Sequence, residues 1–268
     1  MLAAKAVLLD GKPLMTPGSI EALRDHALSA YPAEAIGYID PAGIYHRLAN
    51  ISTDPDRFAI ADPAVISDLL ATDQIRALCH SHPGGPNCPS QLDMESQREL
   101  EVPFVIVATN GQACADPFAW GDQIDDRRPL IGRPFRHGVD DCYAMIRAWW
   151  RQERGVILPD FPRQWEWWVG DDPAIDRDLY RRHMIETGAY EISAEEARPG
   201  DVWLAAIRSP VPNHAGVYLG DGLALHHAAL ANAYDPSRLS RRDPVARWLP
   251  FITNWLRRDL AEDDPSSR

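Results

Sequence analysis

The sequence predicts an α+β chain built from two domains. Three observations carry that expectation. Short β-forming runs alternate with amphipathic stretches in both halves. The character of the chain changes over residues 119–136, where Gly121, a cluster of charges, Pro129, Gly132 and Pro134 interrupt the pattern. Two groups of reactive side chains, one around His80 and one around Cys142, lie on either side of that break. A length of 268 residues suits two ordinary domains. The expected division is a first domain over 1–120, a linker over 121–134, a second domain over 135–258 and a disordered tail over 259–268.

The first half opens with Ala-Val-Leu-Leu before Asp10-Gly11, read as a short entry strand and turn. A helix is expected from about Ser19 to Ala30, with Thr16 or Ser19 as N-cap, ended by Tyr31-Pro32. Ala33–Ile39 and Ile44–Ala49 read as two strands joined by the turn Asp40-Pro41-Ala42-Gly43. A second helix is expected over Pro63–Ala71. Gln74–His82 is a short apolar strand ending on two histidines, and Pro103–Thr109 is strongly β-forming. Between them Ser90 starts a helix, with Asp93 three residues on in a capping-box arrangement. In the second half Asp140–Arg154 reads as an apolar helix and Trp165–Trp168 as packing. Asp201–Ala206, Ala215–Leu219 and Leu223–His227 read as three short strands.

Charge and composition exclude several functions. The formal net charge is −12, which argues against electrostatic binding of nucleic acid. No stretch approaches the ~18 apolar residues of a membrane span, and no signal peptide is read at the N-terminus. The four cysteines, Cys79, Cys88, Cys114 and Cys142, have neither disulfide-framework nor zinc-knuckle spacing and are expected as thiols.

The first reactive group is His80–Asp93, H-S-H-P-G-G-P-N-C-P-S-Q-L-D. Two imidazoles and a carboxylate leave one position of a tetrahedral Zn²⁺ open for water. Both histidines are expected to reach one ion only where their strand breaks, and Pro83-Gly84-Gly85 is expected to supply the break. Cys88 fits a loop filler better than a ligand. The run resembles the JAMM/MPN⁺ metalloprotease motif, in which an upstream Glu precedes H-x-H-P and S-x-x-D. His80, His82, Pro83, Ser90 and Asp93 match in type, and Glu34 in P-A-E-A-I-G-Y stands where the upstream Glu is found. The resemblance implies zinc on His80, His82 and Asp93, Glu34 as general base and Ser90 as support for the tetrahedral intermediate. It implies cleavage of amide or isopeptide bonds.

The second group is Cys142, His214 and His226. Asp141-Cys142 opens a helix, and a helix N-terminus is expected to favour the thiolate and lower its pKa. His214, in N-H-A-G-V-Y-L-G, is a candidate base. His226, twelve residues later, is placed to orient its ring; His227 competes for that role, and spacing favours His226. The pattern resembles the NlpC/P60 family of papain-like cysteine peptidases. Two departures stand out. Tyr143 follows the cysteine where the family often has Ser, and Leu130 stands where a Tyr is common, leaving His137 as a candidate substitute in the oxyanion site. The implied fold is therefore a JAMM/MPN-like α/β sandwich followed by a papain-like domain.

The order of the two domains is similar to that of a family of tail-tip proteins of lambda-like phages. R-P-F-x-H-G-x-x-D-C-Y (133–143), L-P-D-F-P-R (158–163), N-H-A-G-V-Y-L-G-D-G (213–222), L-H-H (225–227) and R-L-S-R-R-D (238–243) carry that similarity. It implies a virion tail tip, made in the host cytoplasm, with other tail-tip or baseplate proteins as partners. It also implies a peptidoglycan peptide as substrate of the cysteine half. Two other readings stand beside it. One is a structural assembly protein whose sites serve maturation or are vestigial. The other is a cellular deubiquitinase-like or desampylase-like protease, which leaves the second domain unexplained.

Overall fold

In a computed structural model the chain divides into two compact units, Met1–Asp126 and Arg127–Arg268. The structure describes residues 8–9, 12–124, 126–170, 177–229 and 232–259. Most of the expected entry strand and all of the expected tail beyond Asp259 lie outside them.

The first unit begins with two short paired strands, β1 (Leu8–Leu9) and β2 (Lys12–Pro13), and helix α1 (Pro17–Ala30). Thr16 caps α1, its hydroxyl accepting from the Ser19 amide. Strands β3 (Ile36–Ile39) and β4 (Tyr45–Leu48) form a hairpin, and helix α2 (Pro63–Ala71) follows. Then come β5 (Ala77–Pro83), helix α3 (Gln91–Leu100), β6 (Phe104–Thr109) and β7 (Phe118–Trp120). The sheet order is β4-β3-β5-β6-β7. Ala77 and Cys79 turn one face of β5 toward Leu23 and Ala27 of α1. The opposite face of β5 carries His80 and His82.

The β5–β6 pair is parallel, the other pairs antiparallel. Parallel neighbours need a crossover, and α3 is that crossover. Its first turn therefore lies beyond the end of β5, where the histidines are. One expectation fails here. β5 runs on through Pro83, which pairs with Thr109, so the strand has no break at the histidines. None is needed, because residues two apart on a strand share a face.

The second unit contains β8 (Pro134–Arg136), α4 (Cys142–Arg154), α5 (Leu179–Glu186), β9 (Tyr190–Ile192), β10 (Val202–Ala205), β11 (His214–Gly220) and β12 (Leu223–His226). It ends with β13 (Tyr234–Leu239), β14 (Arg241–Pro244) and β15 (Ile252–Arg257). An antiparallel sheet runs β14-β12-β11-β10-β15-β9. Ala215, Val217, Leu204 and Leu225 face α4, where Met145, Ile146 and Trp149 are buried. Trp203, Ala205 and Ala224 line the opposite face. Gly216 is obligatory between them: a side chain there would overlap the Trp203 ring and the Leu225 carbonyl.

The helix expected over 140–154 begins at Cys142, because the Asp141 carboxylate accepts from Ala144 N–H and acts as N-cap. The sequence reading missed α5, β7 to β9 and β13 to β15. Strands such as Tyr-Asp-Pro-Ser-Arg-Leu and Arg-Arg-Asp-Pro lack apolar alternation, and their partners alone hold them extended.

Candidate active sites

In the first unit three side chains converge. His80 Nε2 lies 3.1 Å from His82 Nε2 and 3.1 Å from Asp93 Oδ1. His82 Nε2 lies 3.3 Å from Asp93 Oδ2. A tetrahedral ion with bonds of ~2.0–2.1 Å has ligand–ligand edges of about 3.3 Å, so these three donors fit one metal ion. They form a possible metal site among the described residues. The His82 Nδ1 atom lies 3.2 Å from the Pro86 carbonyl. A carbonyl only accepts, so Nδ1 carries the proton and Nε2 keeps its lone pair for the ion. Buried Cys88 is outside the cluster.

Asp93 is held by its own helix. The Ser90 N–H and hydroxyl both donate to Asp93 Oδ2 at 2.7 Å, and the Asp93 N–H donates back to Ser90 Oγ. The capping box read in the sequence is therefore also the mount of a candidate ligand.

Glu34 comes from the entry to β3. Ile36 is opposite His80, and the same register places Glu34 across from His82. Burial raises its pKa against the opposing pull of His80 and His82. Burial also disfavours ionised Asp93, but His80 and His82 outweigh it and hold the carboxyl far below its ordinary range. For His80, burial is outweighed by Asp93 and then Glu34, and its pKa is raised.

In the second unit, His214 Nε2 is 3.2 Å from His226 Nδ1, and His226 Nε2 is 3.0 Å from Asp243 Oδ2. The carboxylate assigns the protons. His226 donates from Nε2 to Asp243, which makes its Nδ1 an acceptor. His214 then donates from Nε2, and its Nδ1 keeps the lone pair of a base. Trp203 and Trp248 enclose both rings.

Sequence reasoning placed His214 and His226 but not Asp243. The signal was present in R-L-S-R-R-D, where Asp243 is the one buried residue of β14.

Cys142 sits in the first turn of α4, 6% exposed. Its Sγ is 3.0 Å from the Tyr180 hydroxyl and accepts from the Ala215 N–H, the residue after His214. The structure thus pairs the thiol with Tyr180 and Ala215, while His214 pairs with His226. The expected low thiol pKa is reversed. Burial, reinforced by the Asp141 charge, pushes it up to about 12 against Tyr180, Arg163 and Ala215 N–H. The imidazoles are neutral too. Burial, then His226, pushes His214 well below its usual value, and burial takes His226 to about 4 despite Asp243.

His137 does not supply an oxyanion donor. Its Nε2–H is spent on the Arg163 carbonyl at 2.9 Å. It belongs to a buried cluster under α4 in which Arg163 binds Asp141 at 2.6 Å and Asp160 at 3.2 Å. The Asp-Phe-Pro-Arg run of the sequence is this clamp. Tyr143 serves it also, donating its hydroxyl to the Pro159 carbonyl.

Comparison with known proteins places each unit in a known family. Residues 17–120 match prokaryotic homologs of the JAB domain, and residues 116–244 match the NlpC/P60 family. A probable TtuB-protein conjugate cleaving protease of Thermus thermophilus is 34% identical over 102 residues, 35% of this chain and 68% of that protein. Tail tip assembly protein K of Escherichia phage N15 is 27% identical over 220 residues, 80% of this chain and 85% of that protein. Tail tip assembly protein K of Escherichia phage lambda is 35% identical over 185 residues, 69% of this chain and 79% of that protein. With a JAB-like unit ahead of an NlpC/P60 unit, and two relatives of one name matched along most of their length, the chain belongs to the tail tip assembly protein K family.

Proposed function

We propose that this chain is a virion tail-tip peptidase whose cysteine half cleaves peptide cross-links of peptidoglycan during DNA entry. The observation that carries the reading is the Asp243–His226–His214 chain of hydrogen bonds, which leaves one lone pair, on His214 Nδ1, to act as base, and which ends one residue before Ala215, whose N–H bonds Cys142 Sγ. The thiol proton passes to that nitrogen as Sγ bonds to the scissile carbonyl carbon. The tetrahedral intermediate expels the amine, which takes the proton from His214, and water then hydrolyses the thioester. Cys142→Ala is expected to abolish dye release from labelled peptidoglycan and the appearance of cleaved cross-links in muropeptide analysis. Retained cleavage in Cys142→Ala, with loss in His80→Ala, reverses the assignment of substrate to domain.

The metal half is proposed as a JAMM-type zinc peptidase held by His80, His82 and Asp93. Zinc, when bound, polarises the scissile carbonyl and lowers the pKa of its water. Glu34, its pKa raised by burial, takes the proton from the attacking water and returns it to the leaving amine. Ser90 is assigned the hydrogen bond to the tetrahedral intermediate, for which its hydroxyl must leave Asp93 Oδ2. The Thermus relative is named for cleaving protein conjugates, which favours an amide or isopeptide in a protein as substrate here. Protein purified without chelator is expected to carry zinc in stoichiometric amount, and a ratio near zero sinks the assignment.

The relatives' names favour a second reading, in which the chain serves tail assembly and its partners are other tail-tip or baseplate proteins. Phage carrying Cys142→Ala separate the two. Tails that form but inject poorly support the enzyme, and tails that fail to form support the assembly role.

A further inference from the structure

The proposed mechanism leaves one contact unused. The Tyr180 hydroxyl stands 3.0 Å from the nucleophile's sulfur, and both residues are buried. Tyr180 reaches Cys142 from α5, 38 positions along the chain. Its ring is fixed against Trp167, edge to face with centroids 4.7 Å apart. It also stacks on Tyr143, with centroids 6.1 Å apart. A ring held by two aromatic neighbours keeps its hydroxyl aimed at one point.

We propose that Tyr180 is a catalytic residue of the cysteine site, its hydroxyl donating the hydrogen bond that stabilises the Cys142 thiolate. The inference rests on the cysteine-peptidase reading of that site. The direction of the bond follows from the groups present. Burial keeps the phenol protonated well above its ordinary pKa, so it remains a donor when the sulfur loses its proton. The Ala215 N–H is the second donor on the same sulfur, and Sγ lies at the positive end of α4. These three oppose the burial and the Asp141 carboxylate that keep the thiol neutral at rest. Arg163, bound to Asp141 at 2.6 Å, offsets part of that negative charge. The Sγ–H bond breaks, the proton joins His214 Nδ1, and the phenol O–H stays intact throughout.

The test compares Tyr180→Phe with Tyr143→Phe in the full chain. Tyr143→Phe also removes a buried hydroxyl, but one spent on the Pro159 carbonyl. Iodoacetamide labelling of Cys142, followed on its own peptide by mass spectrometry at neutral and mildly alkaline pH, reads the thiolate without any substrate. Tyr180→Phe is expected to slow labelling about tenfold, equivalent to a rise of roughly one unit in the thiol pKa. It is expected to slow dye release from labelled peptidoglycan by about 10–100-fold, with thermal unfolding near that of the parent. Tyr143→Phe is expected to leave labelling close to the parent rate.

Tyr180→Phe labelled at the parent rate overturns the proposal. Faster labelling overturns it as well, since it would make Tyr180 a latch on the thiol. So would equal losses in the two variants, or Cys142 resisting reagent in every protein. Absence of dye release from the parent chain counts against the peptidoglycan reading alone, and the labelling comparison then decides the role of Tyr180.

Discussion

The two sites are built with one device and tuned in opposite directions. Each places a reactive group in the first turn of a helix: Asp93 at N3 of α3, Cys142 at N1 of α4. In the first unit that group is an anion. Asp93 is driven toward ionisation by His80 and His82, and His80 is drawn toward its charged form. In the second unit burial wins: the thiol is pushed to about 12 and the orienting imidazole to about 4. The surroundings follow suit. Residues 1–126 hold 7 basic and 18 acidic side chains, a net of −11, whereas residues 127–268 hold 20 and 21, a net of −1. A helix N-terminus by itself does not set a charge state; what packs around it does. The first site gathers an ionised carboxylate and two imidazoles, the donor set of a candidate metal site. The second is organised to keep its charges unformed until a proton moves.

That contrast can be broken at several points. The largest effect is expected from the proposed nucleophile and the proposed metal ligands. Cys142→Ala should remove cell-wall cleavage and leave bound metal unchanged. Asp93→Ala should remove the metal, read by elemental analysis, and leave cell-wall cleavage intact. Loss of both properties in either variant would mean that the sites are not independent.

A smaller effect is expected from Asp243→Asn. The amide can donate to His226 Nε2, which reverses the proton order through His214 and takes the lone pair from Nδ1. A fall of at least about 100-fold in the rate of dye release is expected, in line with tautomer loss in other triads. An unchanged rate would show that Asp243 only packs β14.

The neutral second site should also make its unit sensitive to acid. His214 and His226 bind protons near 6.5 when unfolded but resist protonation when folded. The unfolded state therefore gains more protons as pH falls, and stability drops from about pH 6.5 toward 4. His226 alone contributes on the order of 3 kcal/mol to that loss. Tryptophan fluorescence will follow it, since eight of the nine tryptophans lie beyond residue 126. Unfolding curves that superimpose at pH 7 and 5 would contradict buried neutral imidazoles. The smallest effect belongs to the first site's mount. Ser90→Ala should cost about 1 kcal/mol of stability through the lost cap, and should loosen metal binding through Asp93.

What was legible in the sequence was local. Asp93 and Ser90 are three positions apart and belong to one helix turn, so spacing alone announces their bond. His80 and His82 share a strand face by simple alternation, although the sequence reading called for a strand break that β5 does not have. Asp141 caps the helix that carries Cys142 for the same short-range reason. The two-domain order and both motifs follow from such runs. Other features needed the folded chain. Asp243 reaches His226 across 17 positions on a strand without apolar alternation. Tyr180 reaches Cys142 across 38 from a helix whose apolar face is short. The thiol's charge state inverted the expectation, because helix position is written in the sequence while burial is not. Desolvation depends on everything packed around a group, and only the tertiary structure assembles that surround.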